Sequence, residues 1–265
     1  MIKVVVAGAL GRMGQESCRA LVQTEGIQLV GAVDTREIGS SIGPIIGVAD
    51  LGIKVSDNLA QVIAEQRPDV LVDFTRAGVV QGNIELALKN GVRPVVGTTG
   101  MSAEEIKTFT ELAASQGVGG LIAPNFAIGA LLMIKFAAEA AKYLPHVEII
   151  ELHHDKKVDA PSGTALKTAE AIAQVRGNMA QGMPSEFEKI EGARGGNFEG
   201  MRIHSVRLPG YVAHQEVIFG GLGQTLTIRH DSISRESFMP GLILAVRKVM
   251  NLDRLVYGLE NLLFE

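Results

Sequence analysis

The chain has 265 residues, enough for one large or two modest domains with a substantial buried core. Hydrophobic residues make up 46%, charged residues 20%, and 31 glycines punctuate the chain, the composition of a turn-rich globular α/β protein. A net charge of −4 without any block of consecutive basic residues gives no electrostatic footprint for nucleic acid or an anionic membrane, and points to a small-molecule partner.

The single cysteine, Cys18, excludes an intrachain disulfide and suits a reducing compartment. The stretch from Met1 to Gly8 enters a strand directly, without the pattern of a secretory signal or transit peptide. No apolar run approaches the roughly 18 residues that span a bilayer. The expectation is a cytoplasmic protein with neither a nucleic-acid nor a membrane partner.

Ile2 to Ala7 is a β-branched run that stops at glycine, and Arg12 to Thr24 carries apolar residues at Met13, Cys18, Leu21 and Val22: strand, glycine turn, helix. Ile27 to Val33 predicts a second strand ending at Asp34. The alternation continues with a strand at Asp69 to Phe74, a helix at Val79 to Lys89, a strand at Val92 to Val96, a helix at Ala103 to Ser115 and a strand at Val118 to Ala123. Such alternation implies right-handed crossovers, so residues 1–126 predict a doubly wound parallel sheet covered on both faces.

After Pro124 the texture changes. A helix is predicted at Ile128 to Tyr143, a strand at Val147 to Leu152 and a helix at Thr164 to Val175. The polar, glycine-rich stretch from Gly177 to Gly200 reads as a loop, mobile or ordered by a neighbouring subunit. Strands at Arg202 to Arg207, Glu216 to Phe219 and Thr225 to Arg229, joined by short turns, favour an antiparallel or mixed sheet. The tail from Arg235 to Met250 reads as helix packing back on the first domain.

Gly8, Ala9, Leu10, Gly11, Arg12, Met13 and Gly14 close the first strand and open the first helix, where glycines permit a tight turn and let a pyrophosphate approach the helix N-terminus. The spacing departs from G-x-G-x-x-G by placing Leu10 at the usual second glycine. Asp34 ends the second strand, where an acidic side chain binds the ribose diol of an adenine dinucleotide; a plain β–α turn with a solvated aspartate is the alternative. Arg36 suits a 2′-phosphate that Asp34 would repel, so NADH, NADPH or both remain open. Gly97, Thr98, Thr99 and Gly100 follow one strand and Ala123, Pro124, Asn125 and Phe126 another, at the carboxyl ends where open α/β sheets bind ligands. Both suit a nicotinamide ring, and both also suit ordinary tight connections.

The stretch from Glu151 to Ala165 gathers His153, His154, Lys156 and Lys157 before a turn, Pro161 to Thr164, that opens a helix. Histidine exchanges protons near neutral pH, lysines supply cationic donors, and a helix N-terminus holds a carboxylate or phosphate. Adjacent strand residues point to opposite faces, so His153 and His154 fit a catalytic pair better than a shared metal site. A dinucleotide fold upstream makes reduction the leading chemistry, with hydride from the coenzyme and a proton from this stretch.

These residues resemble the 4-hydroxy-tetrahydrodipicolinate (dihydrodipicolinate) reductase family. Its E-x-H-H-x-x-K-x-D-x-P-S-G-T-A signature runs without a gap from Glu151 to Ala165, and its V-x-G-x-x-G-R-M-G opening stands at Val6 to Gly14. Asp73 to Thr75, Gly97 to Gly100, Asn125 with Phe126, and Val206, Arg207, His214, Glu216, Phe219 and Gly220 also look like family motifs. The resemblance implies a Rossmann-type domain of residues 1–126 and 235–265 and an α+β substrate and tetramerisation domain of residues 127–234. It implies His153 as general acid, Lys157 assisting, and His154, Ser162, Gly163 and Thr164 holding the carboxylates of a small dicarboxylate. It further implies NADH or NADPH as coenzyme, a homotetramer, and closure of the domains about a hinge. A non-enzymatic dinucleotide-binding regulator and another oxidoreductase of amino-acid metabolism are the rival readings. Cys18, in the first helix, is misplaced for an aspartate-semialdehyde dehydrogenase nucleophile.

Overall fold

Runs of valine, isoleucine and leucine that stop at glycine, aspartate or a polar turn build the strands of the first half. The computed structural model describes residues 1–177 and 179–264, so Asn178 in the glycine-rich stretch and Glu265 in the tail lie outside the described residues. In chain order the elements are β1 (Ile2–Ala7), α1 (Arg12–Gln23), β2 (Ile27–Val33), α2 (Ile42–Ile45), β3 (Val55–Ser56), α3 (Leu59–Gln66), β4 (Val70–Asp73), α4 (Val80–Lys89), β5 (Arg93–Val96), α5 (Ala103–Gln116) and β6 (Gly120–Ile122). There follow α6 (Ile128–Ala141), β7 (His146–His153), α7 (Gly163–Arg176), β8 (Gly196–Phe198), β9 (Met201–Arg207), β10 (Ala213–Gly221) and β11 (Gln224–Ser232). The chain ends with α8 (Met239–Lys248), β12 (Leu255–Tyr257) and α9 (Glu260–Leu263).

Two compact units result, one of residues 1–126 with the segment from Phe238 onward, the other Ala127–Ser237. The first unit holds a parallel seven-stranded sheet of order β12-β6-β5-β4-β1-β2-β3. Val4 to Ala7 of β1 and all of β4 are buried, as central strands of a sheet covered on both faces must be. The chain runs outward from β1 to β3 and resumes at β4 on the other side of β1, which puts the topological switch point at the carboxyl ends of β1 and β4.

The second unit holds a mixed five-stranded sheet of order β11-β10-β7-β9-β8, in which only β7 and β9 run parallel. Strand alternation sends Val147 and Ile149 of β7, Ile203 of β9, and Val217 and Phe219 of β10 into a core with Met133 and Ala137 of α6 and Ala165, Ala169 and Ile172 of α7. This arrangement of a Rossmann-type sheet and a mixed α+β sheet is the expected fold class.

The fold adds to or corrects expectation in three places. Beyond the tail helix, which opens on a 3-10 turn at Arg235–Phe238 and continues through α8 as expected, β12 adds an edge strand beside β6 that the sequence did not suggest. The glycine-rich stretch is more than a loop, since β8 pairs antiparallel with β9. It is also tied to its own sheet: Gln181 bonds both the N–H and C=O of Val147 at 3.0 and 2.8 Å, and Arg194 grips Glu148 at 2.6 and 3.2 Å. Between Arg36 and Asp69, where no element was expected, α2, β3 and α3 complete the outer edge of the first sheet. Elsewhere the boundaries move by a few residues, most at β10 and β11, which lengthen into a hairpin.

One glycine fixes how α8 returns to the first unit. A Cβ at Gly241 would stand 2.0 Å from the Phe126 backbone oxygen, which has no side-chain freedom to yield. Gly241→Ala is expected to destabilise the protein by about 1–3 kcal/mol, the usual range for forced overpacking. A lowered urea midpoint with unchanged denaturant slope checks this.

Candidate active site

The first candidate region lies at the switch point. The N–H groups of Gly8 and Ala9 donate to Val33 O, that of Leu10 to Asp34 Oδ2 at 2.9 Å and that of Gly11 to Gly8 O, so the turn is internally satisfied. The next N–H groups, of Arg12 and Met13 in the first turn of α1, have no acceptor among the described residues. The glycines are sterically required: a Cβ at Gly14 would meet Gly8 O at 2.0 Å, and one at Gly8, whose φ is +75°, would meet Phe74 O at 2.7 Å. Close packing of helix on turn and two free N–H groups fit a pyrophosphate.

A cavity of about 470 Å3 opens beside this turn, lined by the start of α1 and the loops after β4 and β5. Gly11, Arg12, Met13, Gly97, Thr98 and Thr99 line it together. Phe74, Thr75, Arg76 and Ala77, at the carboxyl end of β4, also line it. Ala123 to Phe126 are not among its lining residues; Phe126 reaches it through an edge-on contact with Phe74, with ring centroids 5.8 Å apart. Asp34 accepts from Leu10 and, through Oδ1, from Arg36 N–H and Nε at 3.2 and 3.3 Å. Burial raises its carboxyl, but these hydrogen bonds outweigh burial and hold it below the ordinary range.

The second region is at the end of β7. Glu151 and His153, two residues apart on a strand, share the face that packs toward α7. Glu151 is fully buried, and its Oε2 meets His153 Nδ1 at 2.5 Å. Arg207, opposite His153 on β9, forks onto both carboxylate oxygens at 2.8 and 2.7 Å, and the Ser162 N–H at the start of α7 donates to Oε1 at 3.2 Å. Neither Glu151 nor Arg207 was singled out by role in the sequence. A carboxylate two positions before a histidine on a strand is the local signal for the first; Arg207 is 56 residues away and leaves no local one.

The other expected residues are close in sequence and take distinct positions. Ser162 is the N-cap of α7, its hydroxyl accepting from Ala165 N–H at 3.2 Å, while a Cβ at Gly163 would find open space. Thr164 follows in the first turn of α7. His154 leaves Nδ1 buried without a partner among the described residues, an atom that a ligand is suited to satisfy. Lys157 directs Nζ to both oxygens of Asp159 at 2.8 Å.

The dihydrodipicolinate reductase N-terminus family model matches residues 2–126 and the corresponding C-terminus model residues 129–263. A 4-hydroxy-tetrahydrodipicolinate reductase of Desulfitobacterium hafniense is 57% identical over 99% of this chain and 98% of its own length, and that of Moorella thermoacetica 56% over 99% and 98%. The structure of a dipicolinate-bound dihydrodipicolinate reductase from Paenisporosarcina sp. TG-14 superposes with a TM-score of 0.88 at 49% identity, covering 98% of this chain and 99% of that one. An amine dehydrogenase from Mycobacterium smegmatis, at 16% identity and a TM-score of 0.70, shares the fold. No helix among the described residues is long and apolar enough to cross a membrane.

Burial raises the Glu151 carboxyl, but hydrogen bonds from His153, Arg207 and Ser205 overcome it and bring the pKa from 4.5 to about 2. A depressed carboxyl stabilises the fold above its unfolded value and loses that contribution as pH falls toward its folded one. The stability difference between wild type and Glu151→Gln is therefore expected to shrink as pH falls from about 4.5 to about 2. At about 1.4 kcal/mol per pKa unit the change is on the order of 3 kcal/mol, read by urea unfolding at several pH values across that window.

Proposed function

This chain belongs to the dihydrodipicolinate reductase family, and on that premise we propose that it reduces 4-hydroxy-tetrahydrodipicolinate to tetrahydrodipicolinate, with loss of water and with NADH or NADPH as coenzyme, in the diaminopimelate route to lysine. The observation that carries the reading is the anchored pair of Glu151 and His153 beside the N-terminus of α7. When bound, the reduced coenzyme supplies the hydride for the unsaturated imine formed as water leaves. The chain's own residues supply the proton and hold the dicarboxylate.

With Nδ1 held by Glu151, the His153 ring has one orientation, and Nε2 is the atom left to give a proton to the ring carbon. The buried carboxylate stabilises the imidazolium before transfer, the part an orienting acid plays beside a catalytic histidine. His154, Lys157 and the first turn of α7, from Ser162 to Thr164, bind the substrate carboxylates, and Lys157 also stabilises negative charge developing on the ring. In the first unit, Arg12 and Met13 hold the pyrophosphate, Asp34 the adenosine ribose, and Arg36 the 2′-phosphate when NADPH binds. We assign residues 1–126 and 235–265 to coenzyme binding and 127–234 to substrate binding and assembly into a homotetramer in the cytoplasm. The partly exposed sheet face of Ile150, Leu152, Val206 and Ile218, opposite α6 and α7, supports a neighbouring copy as its cover.

The activity test supplies substrate with a coupled synthase and follows oxidation of NADH and of NADPH. Turnover is expected; coenzyme binding without turnover on either would favour a dinucleotide-binding regulator. His153→Gln is expected to lower kcat by roughly 10²–10⁴-fold, the loss of a general acid, with coenzyme affinity unchanged. Loss of coenzyme binding in that variant would remove His153 from the acid's role. Lys157→Met is expected to raise KM for the dicarboxylate roughly 10- to 100-fold, the loss of a charge-assisted hydrogen bond, and steady-state kinetics at saturating coenzyme measure it.

A further inference from the structure

Asp73 is the last residue of β4, paired in the sheet with Ala7 of β1 and Val96 of β5. Its carboxylate is fully buried and meets four donors. Oδ1 accepts from Thr75 N–H at 2.9 Å, Thr75 Oγ1 at 2.7 Å and Thr98 Oγ1 at 3.1 Å, and Oδ2 accepts from Asn83 Nδ2 at 2.8 Å. Among the described residues no lysine, arginine or histidine pairs with it. A buried carboxylate without a cation is an expensive way to join two loops that neutral side chains could join.

What the carboxylate does, and a neutral hydroxyl would not, is fix hydrogen-bond polarity. A carboxylate only accepts, so both threonine hydroxyls must point their protons at Asp73 and keep lone pairs alone for anything else. Thr75 and Thr98 line the cavity at the switch point. The cavity wall is thereby set as acceptor, whereas a nicotinamide coenzyme brings donors, its ribose hydroxyls and its carboxamide N–H groups.

We propose that Asp73 is a positioning residue for the coenzyme, presetting the Thr75 and Thr98 hydroxyl oxygens as acceptors for those donors. The proposal rests on the reading of this cavity as the coenzyme site. Asp73→Ala removes the acceptor and frees both hydroxyls to turn. Asp73→Asn keeps Oδ1 for its three donors, and the Asn83 amide turns over to accept from the new Nδ2.

Dissociation constants for NADH, NADPH and dipicolinate, with melting temperatures, are measured on the full chain. Asp73→Ala is expected to weaken both coenzymes about 10-fold or more. Dipicolinate binding should be unchanged, and Asp73→Asn should stay within about 3-fold of wild type, the acceptor being retained. Should Asp73→Ala fail to fold, Thr98→Val removes one acceptor with its shape kept, and selective loss of coenzyme affinity is again expected. Coenzyme binding at wild-type strength in Asp73→Ala, or in Thr98→Val where Asp73→Ala does not fold, overturns the proposal, as does a fall in coenzyme and dipicolinate affinity in proportion. Ala77→Trp, which fills the cavity, separates the two readings. If it binds coenzyme normally, the cavity is not the coenzyme site; if it blocks binding while Asp73→Ala and Thr98→Val do not, the role of Asp73 alone is overturned.

Discussion

A carboxylate with no access to water organises the proposed catalytic end of the second unit. Glu151 is fully buried and is reached by His153 from its own strand, by both guanidinium nitrogens of Arg207 and by Ser205 from β9, and by the Ser162 N–H from the start of α7. Desolvating such a charge costs several kcal/mol before any partner is counted. The arrangement is therefore cooperative: without Glu151, the Arg207 guanidinium would be left partly buried without its counter-charge. The same contacts fix the rotation of the His153 ring and where α7 begins relative to it. Orientation of the proposed acid and placement of the proposed anion-binding turn thus follow from one buried group.

The first unit uses a buried carboxylate differently. Among the described residues Asp73 has only neutral donors, from the two loops that line the cavity and from α4. Glu151 balances a cation and holds an imidazole; Asp73 balances nothing and so imposes its acceptor character on every neighbour. Strand ends suit both tasks, because the backbone there is fixed by sheet pairing while the following residues are free to form a loop. Asp34, at the end of β2, is a third case, divided between the Leu10 N–H of the glycine turn and Arg36. Its hold on the turn couples the shape of the proposed pyrophosphate site to the residue proposed to select the ribose.

The sequence made legible what is contiguous. The signature from Glu151 to Ala165 folds as a strand end, a turn and a helix start, so its chemistry needs no long-range pairing to be recognised. The glycine turn and the loop from Gly97 were visible for the same reason. What escaped was either too short or too distant. A strand of two or three residues, such as β3, β8 or β12, carries no period, and exists only because a neighbouring strand offers hydrogen bonds. The partners that matter most are separated by 56 residues for Glu151 and Arg207, 46 for Glu148 and Arg194, and 25 for Asp73 and Thr98. The last pair needs the register of β4 with β5, which no pattern within either segment specifies.

Lys157 is paired in the proposed site with a neighbour on its own loop. Its ammonium meets both oxygens of Asp159, whose side chain is 58% exposed, so the pair is a solvent-screened one. Such pairs contribute about 0–1 kcal/mol, little enough for an entering carboxylate to replace Asp159 at small cost. The contrast with Arg207 is instructive. Arg207 is locked bidentate on a fully buried partner and also donates to the Asp159 carbonyl, so it is committed to structure, while Lys157 is held by an exposed side chain that can be exchanged. The two cations beside His153 are thus sorted by the burial of their partners. The one with the exposed partner is the one free to serve a ligand, which is the role proposed for it on other grounds.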